Sequence, residues 1–151
     1  MARRALPQEL SVPEIESGQT CLTSAGHAAD RNDHTAVDDQ GRVRAAVGHV
    51  FRLVFLVDTG ASTIVLTETN ASRAGFHPEE LDFRIPVSTA NGVAMAARIS
   101  GVDITIGGIE RRGMVALVAR DSQIQSNLLG MNFLDTLSSF EFQRDRMILR
   151  N

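Results

Sequence analysis

The sequence has no tryptophan, no tyrosine, no lysine and only one cysteine, Cys21. Phenylalanine therefore supplies every aromatic ring, which speaks against sites that stack bases or sugars. A single cysteine forms no disulfide within its own chain, so packing has to carry stability. Every basic residue is arginine and the net charge is −3, a balance that marks no nucleic-acid surface. No run approaches the ~20 apolar residues that span a bilayer as a helix. The basic start at residues 1–7 leads into no apolar stretch of the signal-peptide kind. These absences set the expectation of a cytoplasmic protein, or a periplasmic or membrane-associated one if an N-terminal anchor is missing from this chain.

What is present, over 151 residues, amounts to one domain and a tail. Residues 1–40 are rich in acids (Glu9, Glu14, Glu16, Asp30, Asp33, Asp38, Asp39) and have no apolar period. Too little hydrophobic surface lies there to offset the entropy of ordering the backbone. That stretch reads as a disordered or extended tail, with the domain at 41–151, and removing residues 1–38 is expected to leave the fold intact. His27 to His34 mixes imidazoles and carboxylates, but its spacing matches no familiar metal site.

From Arg42 onward the pattern changes. Arg42 to Val47 and Val50 to Val57 read as a hairpin about Gly48-His49, and Thr63 to Leu66 as a short β-branched strand. Thr67 suits an N-cap, Glu68 the first turn and Gly75 the stop of a short helix. Phe83, Ile85 and Val87 alternate with polar residues, and Asn91-Gly92 is a strong hairpin turn. Pro86 implies an edge strand, and Gly101 shifts the phase of the returning strand like a bulge. Met114 to Ala119 is a further buried strand, Met131 to Leu137 a second short helix, and Phe140 to Leu149 a last hairpin turning at Arg144-Asp145. Several short strands with closely spaced turns indicate an all-β sandwich or barrel.

One stretch organises the rest. The apolar strand ending in Leu56-Val57 delivers Asp58 into Thr59-Gly60-Ala61-Ser62. Taking a carboxylate out of water is costly unless donors meet it, and Gly60 lets backbone approach it closely. Leu-Val-Asp-Thr-Gly-Ala-Ser at 56–62, Thr-Ala-Asn-Gly at 89–92 and Leu-Leu-Gly-Met-Asn-Phe-Leu at 128–134 follow in that order. Together they resemble the retropepsin-like aspartic proteases, in particular the small single-domain bacterial type, over residues 42–150.

The resemblance implies a closed acid-protease barrel and an aspartic endopeptidase in which Asp58 is the catalytic carboxylate. It gives Thr59 a hydrogen bond across a two-fold axis, Gly60 contact with the substrate backbone and Ala61 the pocket floor. Ser62 stands where retroviral enzymes often carry an acid. Thr89, Ala90, Asn91 and Gly92 would form the flap, without the tyrosine that pepsins use. Leu128, Leu129 and Gly130 would form the strand supporting the Asp loop. Hydrolysis by this route needs two carboxylates sharing a proton, and the chain has one Asp-Thr-Gly, so the partner is a second copy in a homodimer. The other partner is a peptide or protein substrate; no metal, other cofactor or nucleic acid is implied. The alternative is a non-catalytic dimeric β-domain of the same fold that binds protein or peptide. A haloacid-dehalogenase reading fails because the second Asp of that chemistry would fall at Gly60.

Overall fold

The computed structural model describes residues 34–48, 51–144 and 146–151. The stretch 1–33, His49, Val50 and Asp145 lie outside them, and with them nearly all of the expected tail, residues 27–33 of the His27–His34 segment and half of each turn expected at Gly48-His49 and Arg144-Asp145. Among the described residues the strands follow the alternation of the sequence, with one addition. His34–Val37, inside the stretch read as tail, forms strand β1, and Val37 is buried in the core. The described fold thus includes β1, which lies inside the stretch 1–40 read as tail and within the residues 1–38 expected to be removable. The reason is the pairing of β1 with the far end of the chain, which no local pattern announces.

Strands β2 (Arg42–Val47) and β3 (Phe51–Val57) form an antiparallel hairpin in which Val43 faces Phe55 and Ala45 faces Leu53. Their alternation sends Val43, Ala45, Val47, Leu53 and Phe55 inward and leaves Arg42, Arg44, Arg52 and Val54 exposed. Each fully buried Leu, Ile or Phe contributes roughly 1.5–3 kcal/mol, so this stripe fixes which face of the hairpin is inside. Strand β4 (Ile64–Thr67) is buried throughout. Thr67 then caps helix α1 (Glu68–Arg73), its hydroxyl accepting the Asn70 N–H at 3.2 Å. Gly75, just past the helix, has φ +89°, a conformation that disfavours a side chain.

Strand β5 (Ile85–Thr89) carries Pro86 and pairs only with β6 (Gly92–Ile106), so the proline does sit on an edge. The register of β6 on β7 (Ile109–Ala119) shifts between Ile99 and Val102, where Gly101 has φ +74°. Strand β7 begins earlier than the Met114 expected, and Gly113 (φ +65°) lies within it. Strand β8 (Asn127–Leu129), helix α2 (Met131–Leu134) and the hairpin β9 (Ser139–Gln143) and β10 (Arg146–Arg150) complete the chain. Helix α2 stops at Leu134 and not at the expected Leu137. The Thr136 hydroxyl donates to the Phe133 carbonyl at 2.6 Å, and Arg111 takes the Thr136 carbonyl at 2.9 Å.

Two sheets result. One runs β1-β10-β9; the other runs β2-β3-β8-β4-β7-β6-β5 and closes on itself where Ala46 and Val47 of β2 pair with Thr105 and Ile104 of β6. Closure makes a six-stranded barrel, with β5 left outside as the edge of a projecting hairpin. Ile64, Leu66, Ile104, Ile106, Leu129 and Phe133 fill the core that the barrel shares with α2.

Candidate active site

Strands β3 and β4 are consecutive and joined by the loop 58–63, yet they do not pair with each other. Strand β8 lies between them, parallel to β3 (Leu56 against Leu128, Val57 against Leu129) and antiparallel to β4 at Val65–Leu128. The loop must therefore pass over the end of β8. Gly130 is the residue beneath it: a Cβ there would stand 2.4 Å from the Thr63 carbonyl oxygen and 2.8 Å from that of Ala61. No side chain fits at such distances, so Gly130 is required by close approach of backbone.

Several hydrogen bonds hold the loop in this crossing. The Asp58 N–H donates to the Leu129 carbonyl at 3.1 Å, and the Met131 and Asn132 N–H groups donate to the carbonyls of Ala61 and Ser62. The Asn132 side chain accepts the Ile64 N–H at 2.9 Å and donates to the Val115 carbonyl at 2.8 Å. Asn127, almost fully buried, does the same one strand-length away: it accepts from the Thr67 N–H and the Asn70 amide and donates to the Val54 carbonyl. A buried amide with its donors and acceptors matched rigidifies the elements it joins. These two asparagines tie β3, β4, β7 and β8 to one another.

At the apex, the Asp58 Oδ1 accepts the Gly60 N–H at 2.8 Å. Its Oδ2 meets no donor among the described residues, and the side chain is half-buried. A Cβ on Gly60 would sit 3.1 Å from Oδ1, tighter than ordinary contact. Thr59, Gly60 and Ser62 are exposed and Ala61 half-buried. The hairpin tip 89–92 is braced by Thr89, whose hydroxyl donates to the Gly92 carbonyl and accepts the Asn91 N–H. Ala90, Asn91 and Gly92 are exposed. The expected site residues thus occupy three places: the 58–62 loop, the supporting strand 128–130 directly against it, and the hairpin tip 89–92. Among the described residues no group of three His, Cys, Asp or Glu side chains is placed to hold a metal ion.

The aspartyl protease family model matches residues 43–133, more than half of the chain. The chain belongs to that family. Its fold is that of the retropepsin-like members: the structure of a retropepsin-like aspartic protease from Rickettsia conorii superposes with a TM-score of 0.66 at 30% identity, covering 77% of this chain and 98% of that one. The protease of EIAV, solved with the inhibitor HBY-793, gives a TM-score of 0.56 at 22% identity over 69% of this chain and 93% of the other, a likeness of fold alone. In sequence, an uncharacterized Sinorhizobium protein from the cobV 5′ region is 45% identical over 64% of this chain and 41% of its own length. The uncharacterized protein RP867 of Rickettsia prowazekii is 35% identical over 71% of this chain and 45% of its own. This aspartyl protease domain therefore spans less than half the length of these curated relatives.

Asn127 and Asn132 were not singled out from the sequence of this retropepsin-like chain. The available signal was local: each amide flanks the Leu-Leu-Gly stretch, where a polar residue among apolar ones needs partners once buried.

Proposed function

We propose that this chain is an aspartic endopeptidase whose active unit is a homodimer with Asp58 of each copy at one shared site. The observation that carries the reading is the Asp58 carboxylate itself. One oxygen is fixed by the Gly60 N–H, while the other is left without a donor among the described residues, on a partly exposed loop. Membership of the aspartyl protease family supports hydrolysis as the chemistry. Four other described aspartates are engaged elsewhere: Asp38 with Arg42, Asp82 with Arg84, Asp103 with the Gly113 N–H and Asp121 with Thr69. A second copy is then the natural source of the second carboxylate.

Two carboxylates ~3 Å apart do not both ionise readily, and the pair holds one proton. The ionised Asp58 takes a proton from a water molecule, whose oxygen bonds to the peptide carbonyl carbon. The protonated Asp58 of the other copy gives its proton to the carbonyl oxygen. Collapse of the tetrahedral intermediate breaks the C–N bond and protonates the amine, leaving one proton on the pair. In this reading Thr59 bonds across the two-fold axis, Gly60 meets the substrate backbone and Ala61 forms the pocket floor. Thr89 to Gly92 cover the substrate and exclude water, while Leu128 to Gly130 hold the loop in place.

The test is a diverse peptide library incubated with wild type and with Asp58→Asn, the cuts being read by mass spectrometry. Wild type is expected to cut and the variant not to, with matching circular dichroism. Equal cutting by both would remove Asp58 from the chemistry.

A further inference from the structure

The asparagines of this chain divide by what holds their side chains. Asn70 donates to the Asn127 amide at 3.2 Å, Asn127 and Asn132 bridge strands, and Asn151 accepts from Arg111 at 2.6 Å. Asn91 differs. It is exposed in the two-residue turn Ala90-Asn91 between β5 and β6, and its side-chain amide has no hydrogen-bond partner among the described residues. The residue that follows it differs too. Ala71, Leu128 and Phe133 come after Asn70, Asn127 and Asn132, and each sets a side chain beside the intervening peptide nitrogen. Gly92 sets none there. It has φ +115°, and nothing stands within 4 Å of where its Cβ would be.

The brace on this tip is the Thr89 hydroxyl, which donates to the Gly92 carbonyl at 2.8 Å and accepts the Asn91 N–H at 3.2 Å. A two-stranded arm is marginal on its own, so its tip opens more readily than the barrel wall. We propose that Asn91 is a modification site: it converts spontaneously to isoaspartate and aspartate, at a rate the Thr89 brace holds down, and the conversion retires the tip. The Gly92 nitrogen gives its proton to solvent and attacks Cγ of Asn91. The new N–Cγ bond closes a cyclic imide, the Cγ–Nδ2 bond breaks, and ammonia leaves with a proton from solvent. Water then opens the ring. Addition at Cγ restores the normal backbone as aspartate, and addition at the main-chain carbonyl carbon routes the backbone through Cβ and Cγ as isoaspartate. The balance is one water in and one ammonia out, with no oxidant or reductant. Either product places a carboxylate at the tip, and isoaspartate also adds a methylene to the main chain between the two groups that Thr89 binds. The conversion stands apart from the protease reading; its effect on hydrolysis, through the cover that residues 89–92 provide, rests on it.

The full chain is aged in warm, mildly alkaline buffer, and peptides are mapped by mass spectrometry with fragmentation that separates isoaspartate from aspartate. Exchange of NH2 for OH is expected at residue 91 while Asn70, Asn127 and Asn132 stay intact. Thr89→Val is expected to speed it severalfold, and Asn91→Gln to abolish it. Amide NMR signals of residues 88–93 are expected to split in the aged sample, those of β2 and β3 to stay in place. Conversion that is absent at residue 91, spread evenly over the asparagines or indifferent to Thr89→Val would overturn the proposal. In the peptide assay, aged wild type is expected to lose activity in step with the converted fraction, while aged Asn91→Gln keeps whatever activity it began with. Full activity in fully converted protein would sever the modification from the cover. Fresh wild type that cuts no peptide would defeat the protease reading instead, and the mass measurement would still decide the conversion.

Discussion

Asn132 and Ile64 stand 68 positions apart, and the side-chain carbonyl of the first accepts the backbone N–H of the second at 2.9 Å. This bond closes the far side of the Asp58 loop, and the same amide holds the Val115 carbonyl. Asn132→Leu keeps the volume and leaves both backbone groups unpaired. At about 1–3 kcal/mol per unsatisfied buried group, the loss should be roughly 2–4 kcal/mol. Urea denaturation measures it, and a fall in kcat exceeding any rise in KM would report the loosened loop.

Gly130→Ala should cost more. The added methyl meets backbone, not a flexible side chain, at 2.4 Å, so the 61–63 crossing has to move. A loss of roughly 3 kcal/mol or more, at the upper end of overpacking, is expected in denaturant melts. Activity should fall even where the variant remains folded.

Asp121 gives an acid-dependent test at a distance from the site. Its carboxylate is held below the ordinary 3.8 by the Thr69 hydroxyl above all, with the Thr69 and Glu68 N–H groups adding to it and burial opposing. A lowered folded value means stabilisation that is present above the unfolded value and lost as pH falls through the folded one. The gap in melting temperature between wild type and Asp121→Asn should therefore be present at neutral pH and close below about pH 3.8. A gap that is unchanged between neutral and acid pH would remove the charge from the account.

Truncation separates β1 from the rest of the N-terminal stretch. Deleting residues 1–33 should leave the melting temperature nearly unchanged. Deleting 1–38 removes the four pairs between β1 and β10 and the buried Val37, and should lower it by several degrees in a calorimetric scan, since ~1 kcal/mol shifts a domain of this size by about 2–8 °C.

Mixing tests the shared site. Excess Asp58→Asn, once subunits have exchanged, should suppress wild-type hydrolysis because a mixed dimer holds one carboxylate. Activity against pH should be bell-shaped, both limbs belonging to the pair. Full activity in the presence of excess exchanging mutant would separate catalysis from dimerisation.

Much of the fold was written locally. The alternation in residues 42–47, the Asn91-Gly92 turn, the phase shift at Gly101 and the Thr67 cap each depend on near neighbours, and each appears as expected. The Asp58 loop was legible because an apolar strand that ends in a carboxylate is chemically conspicuous. What escaped depends on distant partners. His34–Val37 earns its place only through β10, more than a hundred residues on. Asn127 and Asn132 look like ordinary loop polar residues until β8 is inserted between β3 and β4. The end of α2 is set by Arg111, from another strand.

The long strand β6 has one further consequence. From Gly92 to Ala96 it is paired with β5, and from Ala96 it is also paired with β7. Ala96 and Ala97 are wholly buried, while Val93 near the tip is 69% exposed. The hairpin is thus a cantilever: its root is clamped between neighbours in the barrel wall, and its free arm is a two-stranded ribbon of the kind that is marginal on its own. Excursions grow with distance from the clamp, so the arm bends as a whole and does not fold at its base. Ala90 and Asn91, beyond the last pair Thr89–Gly92, sweep the widest arc, and the wall at Ala96 feels the torque.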